Sequence, residues 1–379
     1  MINIVLVAGI RPHYIKIGAI KYGLSKLNLS EREKINLIYV NSGQHYSQEL
    51  SDNYIKRFNI SFEHSFSYEN KGLGYMQGEM LKNLSQAYQD IIKKYQKIDY
   101  VIVMGDVATT CIAGLATLTL GKLVKVVHIE GGLVTVKNRP EEYYRELASD
   151  IASTVFVSSK DNLEILDPKK YIFVGDIIYE YITHNVDKIV TDKIKVETFN
   201  EKNKELEIDL VSKPYVLASL HHKENFPDIS ILLNVFNKLG SLKHRVIFIA
   251  HPSVNNLIET NNIKVPDNIT IVKSLEYFNN VSAMYHAEYI VTDSGGMQRE
   301  SYYLDKRCIV INDAPYWPSI IEAGSSVCVK GSDNLDKAFN WAEENKNKHV
   351  PYNGYFGDGD SVEKIFTKLI EDYEKDKRE

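Results

Sequence analysis

Short apolar runs alternate with longer amphipathic stretches along almost the whole chain. The runs are rich in β-branched residues, which favour strands buried on both faces, whereas the stretches between them repeat their apolar residues with the helical period. That period is clearest over residues 73–94 and 231–239. The predicted strands form two series, 2–8, 35–41, 100–104, 124–129, 154–157 and 171–174 in the first and 215–219, 245–250, 269–272, 289–292, 308–311 and 326–329 in the second.

This alternation predicts the α/β fold class, with parallel sheets covered by helices on both faces. A chain of 379 residues is too long for one ordinary core. We therefore predict two Rossmann-like, doubly wound domains facing a cleft, at 1–178 and 179–360, with a helix over 361–379 that packs back on the N-terminal domain. The break between the domains is expected within 175–211, where polar Lys and Glu residues are frequent. In such sheets, ligands bind beyond the carboxyl ends of the strands.

The charge balance limits the partners of the protein. The 45 Lys and Arg residues and the 50 Asp and Glu residues give a net charge of −5, so no bulk basic field attracts nucleic acid or an anionic membrane. Cys111, Cys308 and Cys328 are scattered without the spacing of metal ligands, which indicates reduced thiols and no metal site. No apolar stretch approaches the ~20 residues of a membrane span, and the N-terminus lacks the features of a signal peptide. We expect a cytoplasmic protein.

A strand that runs into two glycines and then a helix is the most specific local signal. After the apolar residues 287–291 the chain reads Thr292-Asp-Ser-Gly-Gly-Met-Gln-Arg-Glu300. Glycines let the backbone approach a diphosphate, and the free N–H groups and the dipole of the helix favour an anion. Ser294, Gly295 and Gly296 are therefore predicted to hold a diphosphate, and Glu300 to accept hydrogen bonds from a ribose diol. A plain helix-capping turn would also contain Ser-Gly-Gly, but the carboxylate favours nucleotide binding.

Charged residues follow three predicted strands of the N-terminal half. Arg11 and Lys16 come after the first strand and are predicted to contact a phosphate or a carboxylate. Asp106 and Glu130 lie beyond two further strands, and Glu141 follows in Pro-Glu-Glu. An N-cap would also explain Asp106, and the negative first turn of a helix would explain Glu141. Carboxylates held together have their pKa values pushed apart, which would give one the role of a base and another that of an acid.

Histidines follow two predicted strands of the C-terminal half. His221 and His222 lie in Leu-His-His-Lys-Glu-Asn, which also contains Glu224 and Asn225, and His251 lies in His-Pro. A lone histidine is usually structural, but three at strand ends suggest polar contacts with a ligand. The sequence contains no Ser/His/Asp triad, P-loop, zinc motif or N-terminal GxGxxG pattern. Redox chemistry with a dinucleotide is therefore poorly supported.

These motifs, in this order, resemble those of the UDP-N-acetylglucosamine 2-epimerase family over nearly the whole chain. The strongest match is the family's Thr-Asp-Ser-Gly-Gly-(Ile/Met)-Gln-x-Glu at 292–300. The other family patterns and the residues similar to them are Gly-Thr-Arg-Pro-Glu…Lys at 9–16, Thr-Gly-Gln-His at 42–45, Gly-Asp-Thr-Thr at 105–108, His-Val-Glu-Ala-Gly-Leu at 128–133, Pro-Glu-Glu at 140–142 and Gly-His-Arg-Arg-Glu-Asn at 220–225.

The resemblance implies a GT-B-like arrangement and a homodimeric enzyme, without cofactor or metal, that inverts C2 of a UDP-sugar for cell-surface polysaccharide synthesis. The C2 proton would leave while UDP departs from C1, and UDP would add back to a 2-acetamidoglucal intermediate. By position, Asp106, Glu130 and Glu141 resemble the family's acid–base carboxylates. His221 resembles the family's catalytic contact on the phosphate side. The positions similar to substrate and UDP contacts are Arg11, Lys16, His222, Glu224, Asn225, His251, Ser294, Gly295, Gly296 and Glu300.

Several positions depart from the family's pattern. His13 replaces the usual Glu after Arg-Pro, His222 replaces an Arg, and Tyr144 replaces an Asn. The family's Thr-Glu-Arg-Pro-Glu appears only as Pro315-Tyr-Trp-Pro-Ser319. These changes lie around the sugar and phosphate rather than the nucleotide. They indicate a divergent member whose substrate is UDP-N-acetylglucosamine or a related UDP-sugar, such as one carrying a deoxy- or diacetamido-sugar.

Other functions stay open. The residues at 128–132 also resemble the hydrolysing branch, which releases N-acetylmannosamine and UDP, although Arg-Pro…Lys favours the non-hydrolysing branch. A GT-B glycosyltransferase would use Glu300 and the glycine turn for the same UDP but needs an acceptor groove and one base. A nucleotide-sugar sensor is a further alternative. Gln44 and His45 match a loop that in some members contacts a second, activating substrate molecule, and a dimer contact or a turn would explain them equally well.

Overall fold

Two compact units make up the chain. Unit 1 contains Met1–His184 and Gly354–Glu379, and unit 2 contains Asn185–Asn353. The computed structural model describes residues 1–44, 48–69, 71–133, 140–161, 163–199, 205–221, 229–330 and 333–378, apart from the side chains of 48–51 and 122–123.

A parallel sheet forms the centre of unit 1. Within the described residues its strands are β1 Ile2–Ala8, β2 Ile35–Asn41, β3 Phe62–Ser65, β4 Tyr100–Met104, β5 Lys125–Ile129, β6 Thr154–Val157 and β7 Tyr171–Phe173. Their order across the sheet is β3-β2-β1-β4-β5-β6-β7. The order reverses between β1 and β4, and ligands bind at such a switch point beyond the carboxyl ends of the strands. The loops that follow β1 and β4 therefore flank the expected site.

Helices cover this sheet because their apolar residues recur with the helical period. In α4, the buried residues Met76, Met80, Leu84, Tyr88 and Ile91 form one stripe that faces the core of unit 1. The helices up to the unit boundary are α1 Arg11–Leu24, α2 Leu29–Arg32, α3 Gln48–Arg57, α4 Leu73–Tyr95, α5 Ala108–Thr117, α6 Pro140–Ile151 and α7 Ile177–Ile189, with 3₁₀ turns at Leu118–Leu123 and Leu163–Ile165.

Unit 2 is built around a second parallel sheet and an antiparallel pair of strands. The pair is β8 Lys193–Glu197 with β9 Glu205–Asp209, and the sheet contains β10 Tyr215–Leu220, β11 Arg245–Ala250, β12 Ile269–Val272, β13 Ile290–Thr292, β14 Cys308–Ile311 and β15 Ser326–Val329. The order in the parallel sheet is β12-β11-β10-β13-β14-β15. Its helices are α8 Ile229–Gly240, α9 Pro252–Thr260, α10 Tyr277–His286, α11 Gly295–Tyr303, α12 Pro318–Glu322 and α13 Leu335–Asn345. The predicted α/β class is confirmed.

The last helix, α14 Ser361–Asp376, returns to unit 1 and packs against α1. Its buried face includes Phe366 and Leu369, and the Leu369 carbonyl accepts a hydrogen bond of 3.1 Å from the Tyr100 hydroxyl on β4. The buried carboxylate of Glu180 on α7 accepts the Val362 N–H at 2.9 Å and so caps the first turn of α14. Burial raises the pKa of Glu180 to about 7.

Candidate active site

A buried ion pair lies beyond the carboxyl ends of β1 and β5. Lys16 lies in α1, which starts just after β1 with Pro12 in its first turn. Its ammonium donates a hydrogen bond to Oε2 of Glu130, the residue that follows β5. The side chains of Lys16 and Glu130 are only 9% and 13% exposed. The sequence placed both residues at strand ends, and the structure brings them together as one pair.

The backbone of Glu130 is held in a conformation that side chains rarely adopt. Its φ of +65° lies in the left-handed region, which costs of order 1 kcal/mol for a residue other than glycine. The Glu130 N–H donates to the Phe156 carbonyl at 3.0 Å and fixes this turn on the sheet. A Cβ on Gly131 would lie 2.4 Å from Val155, so the residue after Glu130 has no room for a side chain. The glycine is therefore needed for the turn that presents Glu130.

Gly105, after β4, leaves space for the side chains of this pair. Its φ is +72°, and a Cβ there would lie 3.2 Å from Nζ of Lys16 and 4.0 Å from Oε2 of Glu130. The same Cβ would lie 4.0 Å from Nε2 of His13, which is buried in the first turns of α1. Lys16, Glu130 and His13 thus surround one glycine at the switch point of the sheet.

His128 supports this arrangement from inside the sheet. Its Nε2 lies 2.7 Å from the Gly105 carbonyl and its Nδ1 lies 3.0 Å from the Ser149 hydroxyl. Burial lowers the pKa of His128 to about 4, so the imidazole is neutral at pH 7. Because a carbonyl only accepts, Nε2 carries the proton and Nδ1 accepts from Ser149. The sequence analysis used His128 only as part of a motif and did not predict this supporting role.

Asp106 has a cationic partner of its own. Arg145 on α6 donates from Nη2 to Oδ2 of Asp106 and from Nη1 to the Leu133 carbonyl at 3.3 Å. Glu141 lies exposed in the first turn of α6. Asp106, Glu130 and Glu141 are the three carboxylates predicted for acid–base chemistry. In the structure, Asp106 and Glu130 each form an ion pair, a feature that the sequence did not predict because it depends on where α1 and α6 pack.

Two further predicted contacts of unit 1 are held by neighbouring residues. Nη2 of Arg11 lies 3.5 Å from the Tyr54 hydroxyl, and its guanidinium carbon lies 5.8 Å from the centre of that ring. Gln44 accepts hydrogen bonds from the backbone N–H and the hydroxyl of Thr109, at 2.9 and 2.7 Å, in the first turn of α5. Gln44 therefore caps this helix. His45, the other predicted regulatory residue, lies outside the described residues.

The glycine turn of unit 2 forms the start of α11, as its sequence predicts. Ser294 is the N-cap, and its hydroxyl accepts the Met297 N–H at 3.4 Å. A Cβ on Gly295 would lie 2.8 Å from Cγ of Tyr316, so packing against that ring excludes a side chain there. Gly296 is exposed, and a Cβ there would meet only Oγ of Ser294, at an ordinary contact distance of 3.7 Å. Packing therefore requires a glycine at 295 but not at 296, and Gly296 is the one exposed to a ligand.

Glu300 lies further along α11 and is buried, with a hydrogen-bonding partner that the sequence analysis missed. The Tyr277 hydroxyl, from the start of α10, donates to Oε1 of Glu300 at 3.0 Å. Glu300 is 7% exposed. No motif joins Tyr277 to Glu300 in the sequence, because the contact depends on how α10 packs beside α11.

His221 and His251 lie near each other at the carboxyl ends of β10 and β11. The His221 N–H donates to Oδ1 of the fully buried Asp293 at 2.8 Å, and Nδ1 of its ring lies 3.4 Å from the same oxygen. The two imidazole rings are 6.3 Å apart. Burial and the neighbouring His221 lower the pKa of His251. The predicted contacts His222, Glu224 and Asn225 lie outside the described residues.

The described part of the chain contains no group of three or more His, Cys, Asp and Glu side chains arranged to hold a metal ion. None of its helices is long and apolar enough to cross a membrane.

The fold and the strand-end residues define a protein of the GT-B-like α/β class, with Rossmann-like units. The model of the family described as UDP-N-acetylglucosamine 2-epimerase matches residues 27–370. The chain belongs to this family of isomerases.

Named 2-epimerases are similar to this chain over most of their length. The UDP-N-acetylglucosamine 2-epimerase of Methanocaldococcus jannaschii is 29% identical over 380 residues, covering 96% of this chain and 98% of that protein. The crystal structure of the M. jannaschii UDP-GlcNAc 2-epimerase in complex with UDP-GlcNAc and UDP has a TM-score of 0.73 at 25% identity, covering 97% of this chain and 99% of that one. The UDP-2,3-diacetamido-2,3-dideoxy-D-glucuronate 2-epimerase of Pseudomonas aeruginosa is 25% identical over 346 residues, with 88% and 90% coverage.

Proposed function

We propose that the protein is a nucleotide-sugar 2-epimerase that inverts C2 of UDP-N-acetylglucosamine or a related UDP-sugar. The observation that carries the proposal is the buried Lys16–Glu130 pair at the switch point of the unit 1 sheet. The pair joins a carboxylate, which can transfer a proton, to a cation, which can stabilise the negative charge of a departing phosphate. Relatives that cover 96% and 88% of this chain are named as epimerases of UDP-sugars.

The proposed reaction starts with cleavage of the bond between C1 and the phosphate oxygen. A proton on C2 of a sugar is not acidic, so departure of UDP must lead or accompany its removal. The C–H electron pair becomes the C1–C2 double bond of a 2-acetamidoglucal, the leaving electron pair stays on UDP, and a carboxylate takes the proton. Readdition of UDP to C1 and protonation of C2 from the opposite face complete the inversion. The acid–base carboxylates of this proposal are Asp106, Glu130 and Glu141.

Lys16 has two roles in this proposal. Without substrate, its ammonium neutralises Glu130 in a largely buried position. A bound diphosphate offers Lys16 a second anion, and any shift of the ammonium toward that anion leaves the Glu130 carboxylate more basic. The same shift stabilises the charge that develops on UDP. Substrate binding and activation of the base would thus be linked through one cation, with Arg11 as a further contact on the sugar-phosphate side.

Unit 2 would hold the UDP moiety. The start of α11, with Ser294, Gly295 and Gly296, offers N–H groups and the positive end of the helix dipole to the diphosphate. Glu300, oriented by Tyr277, would accept hydrogen bonds from the ribose hydroxyls. Further contacts in the proposal are His221, His222, Glu224, Asn225 and His251.

The residues near Lys16 bear on the choice of candidate sugars. His13 lies beside Gly105 and Lys16 where the family's pattern has Glu, so one negative charge is absent from this part of the site. Loss of that charge would favour a sugar that itself carries a carboxylate. A relative is named as the epimerase of a diacetamido-glucuronate. We therefore include UDP-uronates beside UDP-N-acetylglucosamine among the candidate substrates.

The experiment is product analysis with a panel of UDP-sugars, separated by ion-exchange chromatography. We expect a mixture of the gluco and manno nucleotide sugars for at least one member of the panel, with no net release of UDP. Accumulation of free N-acetylmannosamine and UDP would instead show the hydrolysing reaction. Transfer of the intact sugar to an acceptor would show a glycosyltransferase. Failure to convert any UDP-sugar would contradict the proposal. Light scattering during size-exclusion chromatography tests the proposed homodimer.

A further inference from the structure

Two neighbouring aromatic residues lie beside the first turn of α11. The ring of Tyr316 lies so close to Gly295 that a Cβ there would be 2.8 Å from Cγ and 3.0 Å from Cδ2 of the ring. The indole N–H of Trp317 donates to the Gly295 carbonyl at 2.9 Å. Trp317 is 6% exposed and is the N-cap of α12. This pair occupies the segment in which the sequence departs from the family's Thr-Glu-Arg-Pro-Glu.

Trp317 also contacts the second turn of α11. The Gln298 amide donates to the Trp317 carbonyl at 3.4 Å, and the guanidinium carbon of Arg299 lies 5.3 Å from the centre of the indole ring. Trp317 thus contacts α11 through its indole N–H, its ring and its backbone carbonyl. These contacts fix both the position and the rotation of the start of the helix.

The hydrogen bond to Gly295 acts directly on the N–H of Gly296. The Gly295 carbonyl and the Gly296 N–H belong to one planar trans peptide group, in which they point in opposite directions. A donor on the carbonyl therefore fixes the direction of the N–H, and it strengthens that N–H as a donor because hydrogen bonds in a chain polarise one another. The next amides along the helix are already used, since Met297 donates to the Ser294 hydroxyl and Gln298 to the Ser294 carbonyl.

We infer that Trp317 is a positioning residue for a nucleoside diphosphate: its indole N–H holds the Gly295–Gly296 peptide so that the Gly296 N–H points at the diphosphate. This inference rests on the proposed function, which places the diphosphate at the start of α11. It goes beyond that function in giving a role to a residue that the family's pattern does not contain.

The test is the affinity for UDP of the full-length Trp317→Phe variant, measured by titration calorimetry. Phenylalanine keeps a ring beneath Arg299 but removes the donor. We expect the Kd for UDP, and the KM for whichever UDP-sugar is converted, to rise together by about threefold to tenfold, as for the loss of one hydrogen bond. The matched control is Trp341→Phe, because Trp341 packs against the core of unit 2 on α13. That control should keep the wild-type Kd.

Fluorescence supplies a second measurement that does not depend on the Trp317 variant. The chain contains two tryptophans, so Trp317 is the only one left in Trp341→Phe. Titration of that variant with UDP should change the Trp317 emission with the Kd found by calorimetry. Equal Kd values for UDP in Trp317→Phe and wild type would overturn the inference and leave the proposed function intact. Emission unaltered by saturating UDP would also overturn it. Absence of UDP binding to the wild-type protein would overturn both.

Discussion

Replacing Lys16 by Met separates the structural role of the Lys16–Glu130 pair from its chemical role. Met keeps most of the volume of the lysine stem but carries no charge, so Glu130 is left as a buried carboxylate without its ammonium partner. Removal of one partner of a buried ion pair costs about 3–5 kcal/mol. Because the Glu130 side chain is still 13% exposed, we expect a cost at the lower end of this range. Lys16→Met should lower the free energy of unfolding of unit 1 by about 3 kcal/mol.

The double variant Lys16→Met/Glu130→Gln gives the diagnostic comparison. It removes both charges, so the penalty of a buried carboxylate without its ammonium disappears, and we expect stability within about 1 kcal/mol of wild type. The coupling energy between the two sites should then be at least about 2 kcal/mol. Epimerase activity should be lost in the single and the double variants alike, because restored stability does not restore a base or a cation.

Hydrogen exchange followed by mass spectrometry measures the stability of unit 1 in these variants, since it reports on peptides of β1 and β5 separately from unit 2. The matched control is Lys34→Met, which removes one partner of the exposed pair of Lys34 and Glu374, whose side chains are 46% and 42% exposed. That change should cost less than about 1 kcal/mol. A Lys16→Met variant as stable as the control, or a double variant as unstable as the single one, would show that the pair does not stabilise unit 1 in this way.

Three further predictions concern single groups. The folded pKa of Glu180, about 7, lies above the ordinary value of 4.5, so its contribution to stability is present below pH 4.5 and is lost as the pH rises through about 7. In urea unfolding, Glu180→Gln should therefore gain stability relative to wild type as the pH rises from 4.5 to 7. A difference between the two proteins that does not change with pH would contradict this. The folded pKa of His128, about 4, lies below the ordinary value of 6.5, so its contribution to stability is present above pH 6.5 and is lost as the pH falls toward 4. At pH 6, ¹⁵N NMR should show a neutral ring protonated at Nε2. A charged ring at that pH would be inconsistent with the structure. Tyr277→Phe removes a donor to the buried Glu300. It should lower the free energy of unfolding by about 1–3 kcal/mol and raise the KM for the UDP-sugar about threefold to tenfold. An unchanged KM would argue against a role of Tyr277 in orienting Glu300.

The parallel strands could be predicted from the sequence because they are buried on both faces. β1 is buried at every position. A run rich in β-branched residues between polar stretches is typical of a strand that is buried on both faces. The strand β3 was missed because it is short and half-exposed, with no continuous apolar run.

The segment 175–211, predicted as an interdomain break, contains structure of its own. It begins with α7 and continues into the hairpin of β8 and β9. In β8 the residues alternate, with Ile194 and Val196 buried between exposed Lys and Glu residues. The strands β8 and β9 were not predicted, although this alternation is the signature of a strand with one solvated face.

The sequence located strand-end residues of the candidate site but not their partners. The carboxyl-end rule placed Lys16, Asp106 and Glu130 just beyond predicted strands, because strand ends follow from the strands alone. The pairing of Asp106 with Arg145 depends on the orientation of α6. The contact of Trp317 with Gly295 depends on the course of the chain after β14. Such contacts between residues distant in sequence have no local pattern.

Proton NMR in deuterated water tests whether C2 of the sugar exchanges its proton while UDP is eliminated. The wild-type protein is incubated with the UDP-sugar that it binds, beginning with UDP-N-acetylglucosamine, and with Glu130→Gln as the control. We expect deuterium at C2 of both the gluco and manno nucleotide sugars, with incorporation abolished in Glu130→Gln. Interconversion of the two sugars with the C2 proton fully retained would contradict it.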